Sequence, residues 1–245
     1  MIQPTPLAFL PAYDVVIPCH NRAHVVADAL VSVLAQVPPP ARVILVDDGS
    51  TDGGAETVHA LAAQHPQVLA LALPRNSGAS NARNAGTAAC SSEWVAYLDS
   101  DDCWVPGAAA ALLARAAAGD LDVVVGHFAR VEGDAAPGDP ECGWDGGCIH
   151  TGLNSGGVVG PSWALVRRTA VYAAGGFDPS FHNCNDWDFF VRAAAAGARF
   201  GRIDALVAYY RTVIGHRLVA DTAALEANAV RVRAHPWLAT LPIAA

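Results

Sequence analysis

Three carboxylates stand within four residues at Asp99-Ser100-Asp101-Asp102, inside WVAYLDSDDCW. Held that close, they repel one another unless a cation or water screens them. A hard divalent ion with oxygen ligands, Mg²⁺ or Mn²⁺, relieves the repulsion and usually recruits a substrate phosphate. A solvated acidic loop is the plain alternative. A second acidic turn, Asp47-Asp48-Gly49-Ser50-Thr51-Asp52, either holds a ligand or merely caps a strand-to-helix turn. Pro18-Cys19-His20-Asn21 is a third polar cluster, and Asn185-Asp186-Trp187-Asp188 a fourth. Asp186 there is either a general base or the cap of a following helix. Arg83 suits a diphosphate or an ion pair with Asp99 or Asp101, because its fork binds oxyanions bidentately.

The first three clusters each follow a stretch that reads as a strand. Residues 14–18 (DVVIP), 42–46 (RVILV), 68–73, 94–98 and 122–128 are short apolar runs. Helical spacing fills 25–34, 55–64 and 77–89, and an alanine-rich helix runs to about 118 with Pro106 expected at its first position. This alternation predicts βαβ units and a mostly parallel sheet flanked by helices. In such sheets ligands bind beyond the carboxyl ends of the strands, so the clusters are expected to meet at one edge. Residues 132–157 turn rich in Gly, Pro, Asp and Cys and read as a long surface excursion. Beyond it come a strand near 163–166, a Gly175-Gly176 turn, a helix over 186–196, short strands near 200 and 206–210, and a last helix over 218–233.

Composition narrows the chemistry. With 53% apolar and 16% charged residues over 245 positions, the chain is not disordered. Its net charge of -8 leaves no basic stripe for nucleic acid. Every basic residue is arginine, which excludes a Walker-type phosphate loop and a Schiff-base lysine. No G-x-G-x-x-G follows the first strand, and the six cysteines contain no C-x-x-C pair for structural zinc. The opening MIQPTPLAFLPAYD lacks a basic region and carries three prolines, so it does not read as a signal peptide. No uninterrupted apolar run reaches the ~18 residues of a membrane span. A cytoplasmic protein is expected, with peripheral attachment to a membrane left open. No linker is long enough to split the chain, so a single domain is expected over residues 1–245.

In order, VIPCHN, LVDDGSTD, RNSGASNARNAG, WVAYLDSDDCW, GGFDPSF with NDWDFFVRAAAAG, and YYR at 209–211 resemble the family 2 glycosyltransferases. That resemblance implies a GT-A-type α/β fold. Residues 13–130 would form the nucleotide-sugar-binding half, 131–217 the acceptor-side half, and 218–245 a helical tail. It also implies an inverting, metal-dependent transfer from a nucleoside-diphosphate sugar, a UDP-sugar first among them. The acceptor would be a hydroxyl of a glycan, a lipid-linked glycan or a small molecule. The processive Q-x-x-R-W signature is absent, which favours single additions.

By the same resemblance Pro18, Cys19, Asn21 and Asp48 hold the nucleotide base, and Asn76, Gly78, Arg83 and Asn84 carry the segment that closes over the nucleotide. Asp99 and Ser100 contact the nucleotide, and Asp101 the metal, Mn²⁺ or Mg²⁺. Asp186 is the expected base, with Asp188 as its alternative, although Asn185 stands where the family has an acid. His20 is read as packing or a nucleotide contact. His216 is a metal ligand or a surface histidine. Trp163 and Trp187, with Asn185, are expected on the acceptor side, and Trp144 is a further candidate; each ring could instead be core. Two other readings stay open. A nucleotidyltransferase would need a Gly-rich loop and a lysine that are missing. A non-catalytic nucleotide- or glycan-binding relic of the same fold is the other.

Overall fold

The computed structural model describes residues 10–212 and 222–240. Its first half alternates as the apolar periodicity predicts: β1 (Tyr13–Cys19), α1 (Val26–Leu34), β2 (Arg42–Asp47), α2 (Gly54–Gln64), β3 (Val68–Ala72), α3 (Ala79–Ala89) and β4 (Trp94–Tyr97). All seven residues of β1 are buried, as befits a strand covered on both faces. β1 pairs in parallel with β2 on one side and β4 on the other, and β3 extends the sheet beyond β2.

The second half is mixed. After β5 (Cys103–Trp104), α4 (Ala108–Ala116), β6 (Val123–Val131), α5 (Ile149–Ser155), β7 (Ala164–Arg167), α6 (Arg168–Ala173), α7 (Asn185–Ala195), β8 (Phe200–Arg211) and α8 (Thr222–Arg233), the sheet reads β3-β2-β1-β4-β7-β6-β8-β5. β7 is antiparallel to both β4 and β6, and β5 to β8, whereas β6 and β8 are parallel. Four of the seven pairings are thus parallel.

Several boundaries differ from the sequence expectation. Pro106 precedes α4 rather than opening it, because Gly107 takes the capping position at φ +84°. The two short strands expected near 200 and 206–210 are one strand, β8, whose pairing with β6 is interrupted by register shifts around His127. The excursion after Glu132 holds α5 and a bridge from Glu141 back to Phe128. The last helix starts at Thr222 among the described residues.

Strand alternation supplies two cores. Val15, Ile17, Val43 and Leu45 face α1, α2 and α4, through Leu30, Val58 and Leu112. Val16, Ile44 and Val46 face the other way, toward Ala82 of α3 and Phe189 and Phe190 of α7. Gly86 lets α3 lie close on β1: a Cβ there would sit 2.3 Å from Val16 Cγ1.

Candidate active site

Parallel β1, β2 and β4 release residues 18–22, 47–52 and 99–102 at one sheet edge. Antiparallel β7 brings its entry turn, Pro161–Trp163, to the same edge, where the Asp99 N–H donates to Ser162 Oγ at 3.2 Å. The start of α7 completes a cleft of about 600 Å³, within the roughly 300–1,000 Å³ usual for small-molecule sites. Pro18, Cys19, Asn21, Asp48, Asn76, Gly78, Arg83, Asp99, Ser100, Asp101, Trp163, Asn185 and Asp186 all line it. Sequence reasoning had proposed each of them. It had missed Arg22, Pro161 and Asn183, and had given Tyr210 no role beyond the YYR motif, although all four stand on the same walls.

On the β1–β2 side the polar groups chiefly hold one another. Asp48 is buried, and its carboxylate accepts from Ser77 N–H and Oγ at 2.8 Å and from Gly78 N–H at 2.7 Å. It thereby fixes the start of α3. His20 Nδ1 donates to the Asp48 carbonyl at 2.9 Å, because that oxygen can only accept. Its Nε2 then accepts from Asn76 Nδ2 at 2.9 Å, while Asn76 Oδ1 is held by Gly78 N–H. Asn21 sits at φ +53°, and its Oδ1 accepts from Thr51 N–H at 2.8 Å. Gly49, at φ +63°, passes so close to the 75–76 backbone that a Cβ would lie 2.3 Å from the Arg75 carbonyl carbon. Burial, with Asp47 nearby, pushes the Cys19 thiol up to about 12, so Cys19 offers the cleft its backbone and not a thiolate.

The acidic loop divides its three carboxylates. Asp102 is buried, accepts from Ser162 Oγ at 2.6 Å and from Arg211 N–H at 3.1 Å, and ties β8 to the β7 turn. Burial, then the charges of Asp99 and Asp101, hold its carboxyl well above the usual carboxylate range. Asp99 and Asp101 face the cleft. Asp99 Oδ1 accepts from Arg83 Nη2 at 2.6 Å, and Asp101 lies 3.8 Å from Arg22 Nε. Four carboxylates and two guanidiniums line the cleft, so it is net acidic. An anionic diphosphate would be repelled without a counter-cation. Two carboxylates at the lip, completed by substrate phosphate and water, suit a hard divalent ion. The donor set therefore fits Mg²⁺ or Mn²⁺.

Arg83 is the brace between the two halves. Only 5% of its side chain is exposed. Nη1 donates to Asn185 Oδ1 at 2.9 Å, and the guanidinium lies 5.2 Å from the Phe177 ring centre. The amide at 185 thus accepts what an acid there would accept. Asp186 follows in the first turn of α7. The cap position belongs to Cys184, at φ +55°, so Asp186 is not the cap. It lines the cleft, half-buried, with one oxygen accepting from Trp187 N–H at 2.8 Å. Burial raises its carboxyl above the usual range, against the lowering effect of the Trp187 N–H and Arg83.

Three expectations end elsewhere. Trp187 is core: it is 5% exposed, and its indole N–H donates to the Leu153 carbonyl at 2.7 Å. A tryptophan at that point of α7 points inward by helical phase, toward the same side as Phe190. Trp144 is likewise buried, edge-on to Phe200. Asp188 pairs with Arg192 at 2.6 Å and stays out of the cleft. His216 lies outside the described residues. Trp163, stacked on Phe128 with ring centres 4.1 Å apart, is the tryptophan on the cleft wall.

Among the described residues no helix is long and apolar enough to cross a membrane. The profile of glycosyl transferase family 2 matches residues 14–172. An uncharacterized glycosyltransferase of Nostoc sp., alr2836, is 34% identical over 121 residues, covering 49% of this chain and 38% of that protein. The succinoglycan biosynthesis protein ExoO of Rhizobium meliloti is 34% identical over 127 residues, 52% of this chain and 36% of that protein. The pre-mycofactocin glycosyltransferase of Mycobacterium tuberculosis is 32% identical over 210 residues, 76% of this chain and 39% of that protein. The chain spans little more than a third of these relatives' lengths. The crystal structure of S. aureus TarS 1-349 in complex with UDP-GlcNAc superposes with a TM-score of 0.67 at 20% identity, covering 85% of this chain and 61% of that one. That likeness carries the fold, the GT-A type with its curled sheet flanked by helices. The profile match runs from β1 into α6, well over half of the sequence, and by it this chain is a member of glycosyl transferase family 2.

Proposed function

We propose that the cleft binds a nucleoside-diphosphate sugar, a UDP-sugar first, and passes the sugar with inversion to an acceptor hydroxyl. The observation that carries this reading is the meeting of Asp99, Asp101 and Asp186 in one cleft, although they lie on opposite halves of the chain. The UDP-GlcNAc bound to TarS supports the choice of donor class. Residues 13–130 would carry the donor, and the rest of the chain up to 217 the acceptor wall.

The chain's own groups divide the work. The β1 and β2 ends and the start of α3 form the nucleotide wall. Asp101 and Asp99 would hold the divalent ion against the diphosphate. When bound, that ion neutralises the diphosphate and stabilises the departing nucleoside diphosphate. Asp186 takes the acceptor hydroxyl proton as that oxygen bonds to C1. The bond from C1 to the diphosphate oxygen breaks with its electrons on the diphosphate, so the configuration at C1 inverts. A raised carboxyl pKa suits this task, since a base works best when its pKa approaches the working pH. Trp163 would give the acceptor a flat apolar wall.

Asp186→Asn tests the base. Release of nucleoside diphosphate from a UDP-sugar, to water or to an added acceptor, should fall about 10²-fold or more. Nucleotide affinity, read by calorimetry, should stay within about threefold. Equal turnover by wild type and Asp186→Asn would overturn the assignment. No turnover by wild type with any nucleotide-sugar, alongside retained nucleotide binding, would point to a binding relic.

A further inference from the structure

Hydrogen bonds to two side-chain amides, Asn183 and Asn185, flank Cys184, two residues before the proposed base. Cys184 occupies the left-handed region at φ +55°, which a non-glycine side chain rarely adopts unless its surroundings impose it. On its C-terminal side, Asn185 is held by Arg83 of α3. On its N-terminal side, Asn183 is held by α8, near the end of the described chain. Asn183 is 4% exposed and on the cleft wall, and its Oδ1 accepts from Asn228 Nδ2 at 2.7 Å. Asn228 is itself buried, and its Oδ1 accepts from Arg231 Nη1 at 2.9 Å, which fixes the amide with its NH₂ toward Asn183.

Arg231 reaches further into the same turn. Its Nη1 donates to the Ser180 carbonyl at 3.1 Å and its Nη2 to Ser180 Oγ at 2.8 Å. Its guanidinium lies 3.9 Å from the Phe181 ring centre. Two residues on, Arg233 stands 5.1 Å from the Trp187 ring centre. Ser180, Phe181 and Asn183 of the turn leading into α7, and Trp187 of α7 itself, are therefore gripped by residues 228–233 of α8.

We infer that α8 is a positioning clamp for the proposed base. Asn228 and Arg231 hold residues 180–184 so that Cys184 stays left-handed and Asp186 faces the cleft. Neither residue lines the cleft, so they act through the turn and are positioning residues. The inference rests on the reading of Asp186 as base. It adds that a chain ending before α8 keeps the donor wall and loses turnover.

Asn228→Ala tests it in the full chain. Backbone amide exchange over 180–190 should quicken about tenfold or more, while exchange over 76–89 on the donor wall stays as in wild type. Turnover of a UDP-sugar should fall at least tenfold in kcat, with KM for the donor within about twofold. Cys184→Gly, which removes the side chain that disfavours the left-handed backbone, should restore part of kcat when added to Asn228→Ala. A general loss of folding would not be repaired in kcat by that one change. Unchanged exchange over 180–190 together with unchanged kcat would overturn the clamp. An inactive Asp186→Asn beside a fully active Asn228→Ala would sink the clamp alone. A fully active Asp186→Asn would sink the base reading and the clamp with it.

Discussion

Replacing Arg83 by Met should loosen the joint between the two halves of the site. The methionine keeps apolar packing near Phe177 and removes the fork. Two partners then lose their donor. Asn185 is buried, and its orphaned Oδ1 costs about 1–3 kcal/mol. Asp99 has a side chain 34% exposed, so water recovers most of its lost bond, and this part is on the surface-pair scale of about 0–1 kcal/mol. Together these come to about 1–4 kcal/mol, or roughly 2–16 °C in Tm at about 2–4 °C per kcal/mol for a chain of this size. Urea titration and thermal melting, both followed by circular dichroism, read it. Arg83→Met with Asn185→Leu replaces both ends with apolar groups, and should recover about 1 kcal/mol or more relative to the single variant. A single variant within about 0.5 kcal/mol of wild type, or a double variant less stable than the single, would refute the brace.

Further outcomes follow from the same geometry. Gly49→Ala should cost at least about 2 kcal/mol by urea titration, since its Cβ meets the Arg75 backbone and its φ is +63°. Trp187→Phe removes the bond to Leu153 and should lower stability by about 1–3 kcal/mol while leaving acceptor KM unchanged; a raised KM would put Trp187 back in the acceptor site. As the proposed base, Asp186 would have to be ionised to accept a proton, and its raised carboxyl begins to protonate at a higher pH than an ordinary one. Turnover should therefore fall on acidification with a midpoint above the ordinary aspartate value of about 4, and a midpoint at or below it would contradict the burial.

Local pattern was enough for the first half of the chain. Each of β1, β2 and β4 is a short apolar run followed by a polar turn that reaches the cleft, so the clusters at 18–21, 47–48 and 99–101 are expected at one edge from sequence alone. The mixed half was less legible, because β5 is two residues long and β7 gains its antiparallel partners only from distant chain. Trp187 and Trp163 look alike in sequence, and only long-range packing sends one to the core and one to the cleft. Asp102 is one of three crowded carboxylates in sequence, yet Ser162 and Arg211, 60 and 109 positions away, make it structural. An amide at 185 fits the site because Arg83 of distant α3 donates to it. Arg22 carried a usable signal, as a cation directly after PCHN.

The most direct measurement is calorimetric titration of the protein with UDP, GDP, TDP, CDP and ADP, each with and without Mn²⁺. The account predicts that one of these, UDP first, binds with an affinity that Mn²⁺ raises at least tenfold, and that Asp101→Ala abolishes the metal's effect while the protein stays folded. No binding of any nucleoside diphosphate, with or without metal, would contradict the proposed donor site.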